Sequence, residues 1–260
     1  MSTVGKYNGV SAYDVKHNGV NDIKSMNGVY APSVFDTSNA TLYLDPLDTN
    51  TYTGSGTTLS SSLGTTNTGT FQGGMEGGLT QGGWFNTDAV NDFAFLPSYQ
   101  LGTQWTAIHW SYAERGSQVN VYVNSYTSGI NNGIRMDIGS NSTASWARWV
   151  FPHNSGTQIG FTNSQPQGYW YMQYAIMNSG VSTRYGCSEV AGTFDHRTTT
   201  TLNVTAGTTP PVSNVNSWGN GVQYGFYEVG KVGQFWVFNR AMNTAEIERI
   251  YENTKSRYGY

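Results

Sequence analysis

The chain has 260 residues, with thirteen Lys plus Arg against sixteen Asp plus Glu, a formal net charge of −3. Only 11% of residues are charged, against roughly 25% in an ordinary soluble domain, so nucleic acid is not an expected partner. A single Cys excludes an internal disulfide and a Cys-based zinc cluster. No apolar run approaches the ~20 residues of a membrane-spanning helix, and Met1-Ser2-Thr3-Val4-Gly5-Lys6 lacks the basic-then-apolar order of a signal peptide. Aromatics at 14% supply a core, and abundant Gly points to short strands joined by turns.

In chain order, the first thirty residues repeat internally. Lys6-Tyr7-Asn8-Gly9-Val10 is followed by Lys16-His17-Asn18-Gly19-Val20, and then by Lys24-Ser25-Met26-Asn27-Gly28-Val29 with one residue inserted. Asn-Gly favours a type I′ turn, so the repeats read as a short β-meander or a set of extended arms. A unit of about ten residues buries little by itself and needs something to lie on. The expectation is an anchoring or oligomerising arm over 1–32, which joins a main domain over 33–260 near Ala31-Pro32-Ser33.

Past the joint, residues 41–45 alternate as a strand. Residues 48–70 read as a turn-rich loop with one weak strand, and 82–85 and 92–95 as two short strands around a corner. Strands are expected at 105–110, 119–123, 133–138, 146–151, 158–162, 169–177 and 232–238. Residues 181–222 carry little pattern, with short strands possible at 202–204 and 224–227. One segment is helical: Asn243 is placed to cap it with Glu246 three residues on, and Ile247, Ile250 and Tyr251 share a face. Lys255 and Arg257 fall in its last turn, and Gly259 is suited to a left-handed stop. The fold class is all-β: an antiparallel sandwich with a C-terminal helix and a short N-terminal β-repeat arm.

The ending resembles a known family. Val232 to Phe238, followed by Asn239-Arg240-Ala241-Met242, Asn243 and Glu246-Ile247, is similar to the closing strand and helix of concanavalin A-like (LamG-type) jelly-roll domains. Met242 stands where that family usually has Leu. The front matches as well: Leu42-Tyr43-Leu44-Asp45, the loop from Tyr52 to Thr58, Gly82-Gly83-Trp84-Phe85, and Ala89-Val90-Asn91-Asp92-Phe93, with Ala89 replacing the usual Gly. The resemblance implies a jelly-roll sandwich. The Lys-x-Asn-Gly-Val leader resembles leaders that precede such domains in tailed-bacteriophage virion proteins.

Because this fold also carries glucanases, hydrolysis is the first chemistry to weigh. Retaining hydrolysis needs two carboxylates about 5–5.5 Å apart, and no strand carries a Glu-x-Asp-x-x-Glu run. Glu246, Glu248 and Glu252 read as the solvated face of the helix. No Gly-x-Ser-x-Gly elbow is present, His109 beside Trp110 reads as a packed imidazole, and Cys187 as an inert small residue. The resemblance implies Ca²⁺ as a possible cofactor. Asp45 and Asp48 form one oxygen cluster with Asn50, and Asp88 and Asp92 another with Asn91; both also suit turns. Trp146, Trp149 and Tyr169 are the candidate sugar platforms, with Tyr169-Trp170-Tyr171 alternating faces.

The leading expectation is a non-enzymatic structural subunit of a phage virion, as decoration, collar or fibre. It would assemble in the host cytoplasm, anchored by Lys6, Asn8, Gly9, Val10, Lys16, Asn18, Gly19, Val20, Asn27, Gly28 and Val29. Its expected partners are other virion proteins, sister chains and host-surface glycans, with neither nucleic acid nor membrane. The alternative is a glycan-binding adhesive lectin module, and a further alternative is a glycoside hydrolase.

Overall fold

A computed structural model describes residues 2–7, 10–17, 20–23, 40–61, 68–72, 76–78, 83–88, 93–96, 104–114, 118–123, 134–140, 145–150, 158–161, 168–178, 182–188, 194–199, 216–219 and 229–260. The leader supplies β1 (Ser2–Tyr7), β2 (Val10–His17) and β3 (Val20–Ile23), an antiparallel sheet in the order β1-β2-β3. Tyr7 pairs with Val10 and His17 with Val20, so the paired strand ends are separated by two residues of the chain at each place. Lys6, Val10, Lys16 and Val20 lie on these strands. Asn8, Gly9, Asn18 and Gly19 lie outside the described residues, as do the third copy with Asn27, Gly28 and Val29 and the joint at 32/33.

The main body continues with β4 (Ala40–Leu44), β5 (Thr58–Ser60), β6 (Thr68–Gln72), β7 (Glu76–Gly78), β8 (Trp84–Asp88), β9 (Phe93–Leu96) and β10 (Gln104–Ala113). Next come β11 (Gln118–Val123), β12 (Ile134–Ser140), β13 (Ser145–Val150), β14 (Gln158–Phe161) and β15 (Trp170–Asn178). The last strands are β16 (Ser182–Ser188), β17 (Phe194–Thr199), β18 (Asn216–Gly219) and β19 (Val229–Phe238). Helix α1 (Thr244–Thr254) and a 3-10 turn (Lys255–Tyr258) close the chain. No helix among the described residues is long and apolar enough to cross a membrane.

The strands form two eight-stranded antiparallel sheets. One runs β17-β16-β15-β10-β19-β8-β7, with β4 also on β19; the other runs β14-β13-β12-β11-β18-β9-β6-β5. Strands β10 and β19 lie against β11, β12 and β18, so the sheets face each other. The expected strands from 41 to 178 all form, within two or three residues at each end. The 48–70 stretch holds two strands, β5 and β6. Strands β7, β16, β17 and β18 were not expected, while 202–204 and 224–227 lie outside the described residues.

Two cores flank the first sheet. Toward the second sheet, Phe85, Val232, Phe235, Val237 and Ala107 are buried. There Phe71 of β6 meets Phe85 of β8 at 4.8 Å between ring centroids, with Tyr52 edge-on to both. On the opposite face, Ile108, Trp110, Met172, Tyr174, Trp236 and Phe238 pack under Ile247, Ile250 and Tyr251 of α1. Trp110 is stacked on Tyr258 at 4.2 Å and donates its indole N–H to Thr254 Oγ1 at 3.0 Å. Strand β15 is buried along nearly its whole length because helix and sheet cover opposite faces.

The helix starts as its sequence dictates. Asn243 Oδ1 accepts from Glu246 N at 3.0 Å and Glu246 Oε2 accepts from Asn243 N at 2.8 Å, a complete capping box that contributes on the order of 1 kcal/mol. Gly259 ends the 3-10 turn at φ 89°.

Candidate functional site

The first site follows from strand register. Trp170, Tyr112, Lys231 and Asn86 are successive partners across β15, β10, β19 and β8. Directly paired antiparallel residues share a face, so the four side chains form a row on the helix-bearing side of the sheet. Trp84 lies two residues before Asn86 and therefore on the same face. The Trp84 and Tyr112 rings lie 5.6 and 5.7 Å from Trp170, centroid to centroid. Lys231 Nζ stands 4.6 Å from the Tyr112 centroid and 5.4 Å from that of Trp84. Both separations lie within cation–π range.

The row runs out from under the C-terminal segment. Trp170 is buried against Tyr258, 4.7 Å between centroids, and its carbonyl accepts from the Tyr260 hydroxyl. Trp84, Tyr112, Asn86 and Lys231 are half-buried. The turn Gly168-Tyr169 borders them: a Cβ on Gly168 would lie 3.6 Å from the Tyr112 hydroxyl. Tyr169 is 46% and Val229 38% exposed, the two exposed large apolar side chains among the described residues, and both sit at this end. Partial burial, and then the nearby Glu114 charge, raise the Tyr112 pKa. The Glu114 backbone N–H donates to the Val229 carbonyl at 3.1 Å, which fastens the end of β10 to the start of β19.

Of the sugar platforms expected from sequence, Tyr169 lies exposed at the rim of this row. Trp146 and Trp149 lie on β13, paired with Gly139 and Met136, and their side chains lie outside the described residues. The alternation of Tyr169, Trp170 and Tyr171 resolves with Tyr169 outward, Trp170 under the C-terminal tail and Tyr171 buried. Sequence reasoning did not pair Trp84 with Lys231 because their strands are far apart in the chain; the Gly82-Gly83-Trp84-Phe85 motif marked the tryptophan only as part of the fold resemblance.

The carboxylate at Asp45 is otherwise engaged. Its Oδ1 accepts from Leu47 N at 2.9 Å and Arg257 Nη1 at 2.6 Å. Its Oδ2 accepts from the Tyr43 hydroxyl at 2.8 Å and Gln234 Nε2 at 2.9 Å. Arg257 also donates through Nη2 to the Gly83 carbonyl. Gly83 stands at φ 88°, with the Leu47 side chain within 2.6 Å of where a Cβ would be, so only glycine fits. Burial works against the Arg257 charge, yet Tyr258 and Asp45 beside it hold its pKa above the ordinary value. Arg257 stands in the last turn, as its position in the chain suggests, and is in addition a buried lock between tail and front strand. Burial, then the Asp45 charge, push the Tyr43 phenol well up.

With four donors on its two oxygens, Asp45 is an arginine partner rather than the ion ligand that its oxygen cluster suggested. Asp48 Oδ1 accepts from the Asn50 N–H and amide, both at 2.9 Å, an Asx turn. Asp88 is on β8, paired with Val229, with its side chain outside the described residues, and Asp92 lies outside them altogether. Among the described residues, no group of three or more His, Cys, Asp and Glu is placed to share an ion.

The helix glutamates lie on a solvated face, Glu248 and Glu252 exposed and Glu246 half-buried, and each has a partner there. Glu246 caps the helix and pairs with Arg240 at 2.8 Å, and Glu252 pairs with Lys255 at 2.7 Å. Glu248 Oε1 is 2.9 Å from His196 Nε2, and His196 Nδ1 is 2.6 Å from the Tyr174 hydroxyl. This line of carboxylate, imidazole and phenol has the order of a catalytic relay. Tyr174 is fully buried, so no substrate reaches its hydroxyl, and the line instead ties α1 to β17 and β15.

No family model matches the chain, and no curated protein matches it. Solved structures do. The binding domain of botulinum neurotoxin DC in complex with SialylT aligns with a TM-score of 0.60 at 10% identity, covering 83% of this chain and 52% of that one. The serotype C1 binding domain gives the same figures. A structure described by the dependence of botulinum neurotoxin type C cell entry on two ganglioside molecules aligns at 0.58 and 9%, covering 83% and 51%. The chain thus spans about half the length of these structures, and at such identity the likeness is one of fold: an antiparallel two-sheet β-sandwich.

Proposed function

We propose that this chain is a glycan-binding module, non-enzymatic, built on a concanavalin A-like jelly roll. The observation that carries the reading is the half-buried pair Trp84 and Tyr112 at the open end of the row, with exposed Tyr169 at its rim. Ring faces accept the apolar face of a pyranose, while Lys231 beside them offers donors to its hydroxyls. The neighbouring structures support the reading in that they are binding domains, one solved with SialylT and one described by ganglioside dependence. Trp84→Ala is expected to weaken sugar binding about tenfold, ~1.4 kcal/mol, as for an aromatic anchor. Titration of wild type and variant against a sugar panel, followed by tryptophan fluorescence and NMR shifts, checks this. Unchanged affinity in the variant would place the platform elsewhere.

A second reading rests on the leader. We propose that the β1-β2-β3 sheet anchors the module in a larger particle, as in a phage decoration, collar or fibre subunit, with sister chains or other virion proteins as partners. Among the described residues β1 and β3 pair only with β2. An isolated sheet of three short strands gains stability by adding a strand or docking. Light scattering on the full chain is expected to give an oligomer, and on the chain lacking residues 1–32 a monomer. Two monomers would remove self-association as the role of the leader.

A further inference from the structure

We infer that the ligand of the aromatic row is an acidic sugar, a pyranose carrying one carboxylate that is received by the Lys231 ammonium. The inference rests on the glycan-binding reading and adds its chemical class.

The argument begins with how the cations of this chain are partnered. Arg240, Lys255 and Arg257 hold carboxylates at 2.8, 2.7 and 2.6 Å. Among the described residues no ion pair or hydrogen bond is made by Lys231 Nζ, which stands beside the Tyr112 and Trp84 rings. Ring faces hold an ammonium in place electrostatically but leave its N–H donors without lone pairs to meet. The group is half-buried, so part of its hydration is already lost. An arriving carboxylate restores that loss through charge-assisted hydrogen bonds, and a neutral hydroxyl restores less.

Register makes the geometry fit one residue of sugar. Lys231 sits between Tyr112 and Asn86 in the row, so a ring lies on one side of the ammonium and an amide on the other. Neighbouring strands are about 4.8 Å apart, so a pyranose stacked on Tyr112 or Trp84 places a ring substituent within reach of Nζ. Glu114, whose charge is felt at Tyr112, limits how much anion the site accepts. One carboxylate meets Lys231, while a polyanionic chain would also meet Glu114. The carboxylate belongs to a sialic or a uronic acid residue, and both present the same group.

The test compares acidic and neutral sugars on the full chain: 3′-sialyllactose against lactose, and glucuronic acid against glucose, by fluorescence and NMR titration. Wild type is expected to prefer the acidic member of at least one pair by about tenfold, the ordinary worth of one charge-assisted bond. That preference shrinks in high salt. Lys231→Met keeps the stem against the rings and should bring the ratio close to one. Lys231→Arg should retain it, and Glu114→Gln should raise it. Matching thermal melts establish that the variants are folded. Equal affinity for acidic and neutral sugars in wild type overturns the acidic class, and a ratio that survives Lys231→Met overturns Lys231 as the group that receives the carboxylate; either leaves the glycan reading intact. No response to any sugar overturns both.

Discussion

Arg257→Met is expected to lower folding stability by about 3–5 kcal/mol, the usual consequence of removing one partner of a buried ion pair. The Arg257 and Asp45 side chains are only 11% and 9% exposed. Removal of the guanidinium leaves the Asp45 carboxylate buried with Tyr43, Gln234 and Leu47 as its remaining donors. It also frees the Gly83 carbonyl and loosens the turn that carries Tyr258. The Tyr258 hydroxyl accepts from Gln234 N at 2.8 Å, and its ring lies over Gly233, where a Cβ would come within 2.8 Å of the ring carbons. Loss of the lock therefore reaches the stack on Trp110. For a chain of this size the melting temperature should fall by roughly 10 °C. Asp45→Asn combined with Arg257→Met should recover part of the loss, because no uncompensated charge is then buried. Denaturant unfolding of wild type and the two variants measures this. A loss below about 1 kcal/mol for Arg257→Met would mean that the pair behaves as a solvated surface bridge.

The second large effect concerns acid. His109 is fully buried on β10 in register with Gln173 of β15, and neither ring nitrogen has a well-formed hydrogen bond. Burial brings its pKa down to about 3 from 6.5, and the Gln173 side chain offsets part of that fall. The folded state thus keeps His109 neutral at pH values where the unfolded chain has already bound a proton. Between pH 6.5 and about 3 the unfolded state holds more protons, so stability rises with pH across this window and falls as acid is added. The loss from this one group is on the order of several kcal/mol, complete near the lower end of the window. His109→Gln removes the titration. The variant is expected to lose less stability than wild type between pH 7 and pH 4, whatever its stability at pH 7. Urea midpoints at both pH values decide it: parallel losses would assign the acid sensitivity to other groups.

Much of this architecture is legible in the chain because it is local. Alternation in 105–110 and 232–238 marks the two central strands. The Asn243 and Glu246 spacing marks a capping box that forms as written, and Asn-Gly spacing marks the leader connections. The strands that escaped notice lack that signal. Ser182–Ser188 and Phe194–Thr199 lie beside and at the sheet edge, rich in hydroxyl and charged residues, and the pairing of the first to β15 and of the second to the first holds them rather than any apolar period of their own. Glu76–Gly78 offers little more than glycine to read.

The site divides along the same line. Tyr169 was readable as a candidate platform because it is part of an aromatic run on a strand. Which member of that run faces solvent was not, since both faces of β15 are apolar and the phase of an alternation does not say which face is covered. That is decided by α1 and the C-terminal turn, which settle on one face and stop short of Trp84, Tyr112 and Lys231. Asp45 read as a turn residue, with an ion ligand as the alternative, and its actual partner, Arg257, lies 212 positions away. Sequence by itself determines the strands, the turns, the capped helix and the supply of aromatic side chains, because each depends on neighbours within a few residues. Only the tertiary structure decides which aromatics are core and which are platform, and which charges are locked or left open. Those properties belong to pairs of residues brought together by strand register, and a linear spacing does not carry the register.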